Sequence, residues 1–98
     1  MEKQFNPFSL ENKVIVISGA ASGIGRQCAI NCSKMGAKLI LLDLNEAGLY
    51  ETKQLVERDD EHYYGVINLT DYKKVEEIIS EAVGKVGRIT GLLNCAGI

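Results

Sequence analysis

The sequence predicts an α/β fold: a three-layer arrangement of parallel strands in the order 3-2-1-4, with helices on both faces. Three observations predict it. Short, continuously apolar runs at 14–17 and 39–42, and an aromatic and aliphatic run at 63–67, have the length and residue types of buried strands. Segments with helical apolar spacing separate them, over short connections that call for right-handed crossovers between parallel strands. A glycine-punctuated turn at 19–25 joins the first run directly to the first helical segment.

A polar stretch, residues 1–12, contains the only proline, Pro7, and reads as a tail leading to the first strand. Val14, Ile15, Val16 and Ile17 make that strand. The helix after the turn carries Ile24, Cys28, Ala29, Cys32 and Met35 on one stripe, and Gly36 stands in the C′ position. Leu39 to Leu42 form the second strand, closed by Asp43. Asn45 is placed to cap a helix running to about Arg58, with a weaker stripe of Ala47, Leu49, Leu55 and Val56. A third strand lies within 62–69. Thr70 is placed to cap the next helix, with Asp71 at the positive end of its dipole. Val75, Ile78, Ile79, Ala82, Val83 and Val86 give that helix the clearest stripe, and Gly87 ends it. Residues 89–96 complete the pattern as a fourth strand. The first two crossovers place their helices on one face; the third leaves the first strand in the other direction and places its helix opposite.

The 98 residues allow one domain at most, assigned to 13–98, and the composition is that of an ordinary globular chain. A net charge of -2 gives no basic surface for nucleic acid. No apolar run approaches the ~20 residues of a membrane span. The first ten residues lack the apolar centre of a secretory signal, and three cysteines are an odd count without metal-ligand spacing. The expectation is a reduced, cytoplasmic protein with neither a nucleic acid nor a membrane as partner.

The turn Ser18-Gly19-Ala20-Ala21-Ser22-Gly23-Ile24-Gly25 lies between a buried strand and an amphipathic helix. Backbone N–H groups at a helix N-terminus attract an anion, and a side chain on the approach would block it. Gly19 suits the tight turn, Gly23 the approach of a pyrophosphate, and Gly25 the packing of the helix. In this context the turn reads as part of the nucleotide-binding half of a doubly wound, Rossmann-like sheet, the alternative being a plain strand–helix turn. Asp43, 18 positions beyond Gly25, ends the second strand, where a carboxylate can accept both hydroxyls of an adenosine ribose and repel a 2′-phosphate. The next residue is Leu44, which offers no cation to offset that repulsion, so NAD(H) is favoured over NADP(H). A local cap for the following helix is the plainer role for Asp43.

These residues resemble the amino-terminal part of the short-chain dehydrogenase/reductase family, in its shorter, non-extended branch. The resemblance spans 12–98 and rests on the 18–25 turn (usually TGxxxGIG), on Asp43, and on Leu93-Asn94-Cys95-Ala96-Gly97 (usually containing NNAG). It implies that Ser22, Ile24 and Leu44 join the glycines and Asp43 around the dinucleotide. It also implies that Asn68 and Leu69 frame the adenine, and that Asn94, Ala96 and Gly97 lie beneath the nicotinamide-side ribose. Ser18 replaces the usual Thr, Asn68 the usual Asp, and Cys95 the second Asn.

The family's catalytic Ser, Asn and Tyr-x-x-x-Lys lie beyond this stretch. Each tyrosine here lacks the lysine: Tyr50 is followed at +4 by Gln54, Tyr63 by Ile67, Tyr64 by Asn68 and Tyr72 by Glu76. No catalytic residue is therefore assigned within the chain, which reads as the cofactor-binding portion of a truncated or partly represented enzyme, inactive alone. The implied reaction interconverts an alcohol and a ketone by hydride transfer, and the implied assembly is a homo-oligomer. The alternatives are a stand-alone, non-catalytic nucleotide-binding module and a methyltransferase of related fold.

The other candidates have plainer uses. Cys28 and Cys32 sit one helical turn apart on the buried stripe and read as core; Cys95, near the dinucleotide, reads as structural. His62, the only histidine, fits a surface or strand-start role. Tyr63 and Tyr64 face opposite sides of a strand. Arg26, at the positive end of its helix, suits a salt bridge better than a phosphate contact. With Leu92 and Leu93 on an open edge strand, the isolated chain is expected to associate.

Overall fold

The computed structural model describes residues 9–96. A four-stranded parallel sheet has the order β3-β2-β1-β4, built from β1 (Val14–Ser18), β2 (Lys38–Asp43), β3 (Tyr63–Val66) and β4 (Gly91–Asn94). The helices are α1 (Gly23–Lys34), α2 (Glu46–Leu55) and α3 (Tyr72–Val86), with a short 3-10 turn, Asp59–Glu61, before β3. Order and parallel sense agree with the sequence reading. Strand alternation divides the core in two. Ile17, Leu39 and Leu41 pack with Ala29 of α1 and Leu49 of α2, while Val16, Ile40 and Leu42 pack with Ala82 and Val86 of α3 on the other face. Tyr64 lies against the first cluster and Tyr63 against the second.

Several local expectations need correction, each for a physical reason. The buried face of α1 is Gly25, Ala29 and Ser33; Cys28 and Cys32 are only partly buried, and Ile24 and Met35 are exposed. Small residues let the helix sit close to the sheet, and Ser33 is tolerated because its hydroxyl bonds Ile30 O and the Glu57 N–H. The helix closes as expected around Gly36, with Gly36 N–H on Ser33 O and Ala37 N–H on Cys32 O, a Schellman motif.

Helix α2 ends at Leu55, short of Arg58, because Val56 turns extended and buries its side chain. Its inner face is Gly48, Leu49 and Thr52, while Ala47 and Leu55 are exposed. Asp71, rather than Thr70, caps α3, accepting from the Lys74 N–H at 3.3 Å. Thr70 instead turns back to Asn68 Oδ1. Val83 lies on the exposed side of α3. Strands β3 and β4 have four residues each, shorter than their apolar runs. Residues 9–12 do not trail freely: the Leu10 N–H donates to Met35 O and its side chain packs on the core. Pro7 lies outside the described residues.

His62 is fully buried, not on the surface, although it does stand at the start of β3. Its Nδ1 accepts the Leu39 N–H at 3.0 Å, so Nε2 carries the proton and donates to Glu57 O at 2.8 Å. Protonation would set N–H against N–H at Leu39. Burial, the largest influence, holds the imidazole pKa below its usual value; Arg58 and Lys85 act the same way, against the Glu57 carbonyl and Glu61. The unfolded chain therefore binds this proton more readily. Its contribution to stability is complete above the ordinary histidine pKa of about 6.5 and is lost as pH falls below it. Thermal melts between roughly pH 7.5 and 5.5 are expected to show that decline, and His62→Gln to flatten it. An equal slope in the variant would place the sensitivity elsewhere.

Candidate functional site

The strand order reverses at β1: its neighbour β2 is reached by a crossover on one face and its neighbour β4 by a chain returning on the other. At such a point the connections leave the carboxyl ends of the strands in opposite directions and open a crevice. Here the crevice is a cleft of roughly 350 Å³.

Its floor is the turn after β1. Gly19 has φ +71°, and a Cβ there would lie 2.7 Å from Cys95 C and Ala96 N, so only glycine fits. Ala20 and Ala21 are buried, the first donating its N–H to Leu42 O at 3.2 Å. At Gly25 a Cβ would overlap the Gly19 carbonyl, so α1 begins in direct contact with the turn. Gly23 is different. Its φ is +56°, yet a Cβ would meet nothing within 4 Å, so the space in front of it is open.

That space is suited to an anion. Ser22 occupies the N-cap position but makes no side-chain cap hydrogen bond, and no acidic residue lies in the first turn of α1. The first N–H groups of a helix have no intrahelical acceptor, and with the helix dipole they attract negative charge.

Asp43 ends β2 beside the turn. Its Oδ2 accepts the Ala21 N–H and its Oδ1 the Asn45 N–H, both at 2.9 Å. Asn45 is itself the cap of α2, with Oδ1 accepting from Gly48 N–H at 3.0 Å. Asp43 thus anchors the turn as well as lining the cleft. The plainer reading saw only its contact with the start of α2. Each carboxylate oxygen keeps a further acceptor site, so the anchor leaves capacity for ligand hydroxyls. Leu44 is exposed at the rim.

Of the residues singled out in the sequence, Gly19, Ser22, Gly23, Ile24, Gly25, Asp43, Leu44, Asn68, Leu69 and Ala96 all line this cleft. Asn94 does not. Its Oδ1 accepts from Ser18 Oγ at 2.6 Å, tying β4 to β1, and it lines an apolar groove on the α3 side of the sheet. Gly97 lies outside the described residues. Asn68, placed by the resemblance beside the adenine, has its Oδ1 already accepting from Thr70 N–H and Oγ1–H at 3.0 and 2.7 Å. Its amide NH2 is the group left for a ligand. Cys95 lines the cleft without having been assigned to it, and its N–H donates to Ser18 O at 3.1 Å. Its place in a departed family motif was the available signal.

The remaining candidates are accounted for locally. Burial raises the Cys28 and Cys32 thiol pKa values, with the Cys95 thiol adding to the effect at Cys28, so neither is an activated nucleophile. Among the described residues no group of three or more His, Cys, Asp or Glu could hold a metal ion, and no helix is long and apolar enough to cross a membrane. Arg26 reaches Glu51 only at 3.8 Å; its closer partners are the carbonyls of Ala21 and Gly48 and the hydroxyl of Thr52.

Comparison with known proteins places this geometry. A family model described as short chain dehydrogenase matches residues 13–98. The chain is similar to the 3-ketodihydrosphingosine reductase of Bos taurus, 36% identical over 98 residues, covering 94% of this chain and 30% of that one. It is also similar to the 3-oxoacyl-[acyl-carrier-protein] reductase of Thermotoga maritima, 38% identical over 93 residues, covering 91% of this chain and 37% of that one. Among solved structures, a short chain dehydrogenase from Mycobacterium paratuberculosis bound to NAD superposes with a TM-score of 0.84 at 27% identity, over 92% of this chain and 38% of that one. The chain therefore spans about a third of the length of these relatives.

Proposed function

The chain belongs to the short-chain dehydrogenase/reductase family, and from that premise we propose that it forms the NAD(H)-binding part of an oxidoreductase that interconverts an alcohol and a ketone. The observation that carries the proposal is the open N-terminus of α1 at Gly23, facing the same cleft as Asp43. The residues present fit a dinucleotide. The cleft offers N–H donors for a pyrophosphate and a carboxylate for ribose hydroxyls, and Asn68 and Leu69 flank the adenine position. A bound nicotinamide would supply or accept the hydride. The chain's own residues bind and orient: the turn grips the phosphates, Asp43 selects an unphosphorylated ribose, and Cys95 and Ala96 close the floor.

Asp43 with no cation beside it, Leu44 following, supports NAD(H) over NADP(H). The substrate is proposed as a small carbonyl or alcohol compound, with the proton-transferring groups outside this stretch. Three free cysteines support a reducing, cytoplasmic setting. Exposed Leu92 and Leu93 on β4, which pairs only with β1 among the described residues, support self-association. The relatives named above are reductases and dehydrogenases and favour neither a methyltransferase nor a stand-alone module.

Isothermal calorimetry on the chain is expected to give an NADH Kd between about 1 µM and 1 mM, in the usual range for such ligands. NADPH should bind at least about tenfold more weakly, from the charge repulsion at Asp43. No ketone-dependent oxidation of NADH is expected from the chain alone. A folded chain that ignores NADH but binds S-adenosylmethionine would overturn the proposal.

A further inference from the structure

We infer that Arg26 and Thr52 are positioning residues for the anion-binding turn, acting from α1 and α2 through the Ala20–Ala21 segment. The inference rests on the reading of the cleft as a dinucleotide site. All four backbone polar groups of Ala20 and Ala21 are partnered. On the sheet side, the Ala20 N–H donates to Leu42 O at 3.2 Å and the Ala21 N–H to Asp43 Oδ2 at 2.9 Å. On the helix side, Thr52 Oγ1 donates to Ala20 O at 2.7 Å, and Arg26 Nη2 donates to Ala21 O at 2.5 Å.

The two helix-side bonds are one network. Arg26 Nε donates to Thr52 Oγ1 at 3.0 Å, so the hydroxyl accepts from the guanidinium while donating to Ala20 O, a chain in which each bond polarises the next. Nη2 also reaches Gly48 O at 3.0 Å. Helix α2 is pressed against the turn at that point: a Cβ on Gly48 would lie 2.8 Å from Ala21 O. Thr52 is fully buried, and its Oγ1 also lies 3.2 Å from Gly48 O, one turn back in α2.

A cation in the first turn of a helix opposes the dipole, so Arg26 is poorly placed for helix stability. Its planar fork can meet two carbonyls and a hydroxyl at once, which a lysine cannot do. The consequence is a turn held before ligand arrives, with the N–H groups after Ser22 already facing the cleft. A ligand then has less ordering to impose.

The test measures NADH affinity by calorimetry and amide hydrogen exchange across 19–25 and 39–42 in the full chain. Thr52→Val, which keeps shape and loses the hydroxyl, and Arg26→Lys, which keeps charge and loses the fork, are each expected to weaken NADH binding about tenfold. Thr52→Ser, which retains the hydroxyl, is expected to restore binding to within about threefold of the native value. Exchange should accelerate in the turn while β2 stays protected. Native NADH affinity in both Thr52→Val and Arg26→Lys would overturn the inference. So would equal loss in Thr52→Ser and Thr52→Val, or exchange that accelerates uniformly through the sheet, the mark of a merely structural role. If the native chain itself fails to bind NADH, the dinucleotide reading fails, and the exchange pattern alone still decides whether the two residues hold the turn.

Discussion

Gly25→Ala is expected to destabilise the protein by about 3 kcal/mol, with a melting temperature lower by roughly 10–20 °C, and to abolish measurable NADH binding. The added Cβ would overlap the Gly19 carbonyl and come within 3.2 Å of Ala20 Cα. Both neighbours are backbone, so no side-chain rotation relieves the clash and the start of α1 must back away from the turn. Gly23→Ala provides the contrast two residues earlier. Its Cβ meets nothing, and the only folding penalty is the left-handed backbone at φ +56°, about 1–2 kcal/mol. The methyl group, however, would stand in the open space before the helix N-terminus. Calorimetry and thermal melts on the pair are expected to show Gly25→Ala losing stability and affinity together, and Gly23→Ala losing mainly affinity. Equal stability losses would contradict this division of roles.

Asp43→Ala should lower NADH affinity at least about 100-fold and stability by about 2–3 kcal/mol, because it removes two charge-assisted bonds to backbone N–H groups along with the ribose acceptor. The double effect follows from Oδ2 on Ala21 and Oδ1 on Asn45. A carboxylate serving only to reject a 2′-phosphate would give a different result: its removal would admit NADPH. With the turn unpinned, NADPH is expected to bind Asp43→Ala far more weakly than NADH binds the native chain. Comparable affinities would show that Asp43 does not hold the turn.

Most of the lining of the candidate cleft was legible from local pattern. Nine of its residues fall in three short segments, at 19–25, 43–44 and 68–69, with Cys95 and Ala96 after β4, and each segment lies at or just past the carboxyl end of a strand. In a parallel sheet, segments that follow strands gather at one end, so reading the strands correctly was enough to assemble the cleft. Asn94 falls outside the cleft because it is still within β4, where its side chain is taken up in a bond with Ser18 on the α3 side of the sheet. Residues whose fate depends on a distant partner were not legible. Ser33, Thr52 and His62 are polar in any hydropathy pattern yet buried here, each because a carbonyl or N–H elsewhere in the chain satisfies it.

By itself, the sequence determined the alternation of strands and helices, their order in the sheet, the face each helix takes, and the glycine turn with its acid. These follow from periodicity and the steric demands of single residues, which act over a few positions, and from crossover handedness, which is the same for nearly every β-α-β unit. Only the tertiary structure decided where α2 stops, that the lone histidine is core, and that Arg26 and Thr52 grip the turn instead of facing solvent. Burying a polar group is costly unless its hydrogen bonds are made. Whether they are made depends on groups about 20 to 30 positions away, which come together only when the layers close.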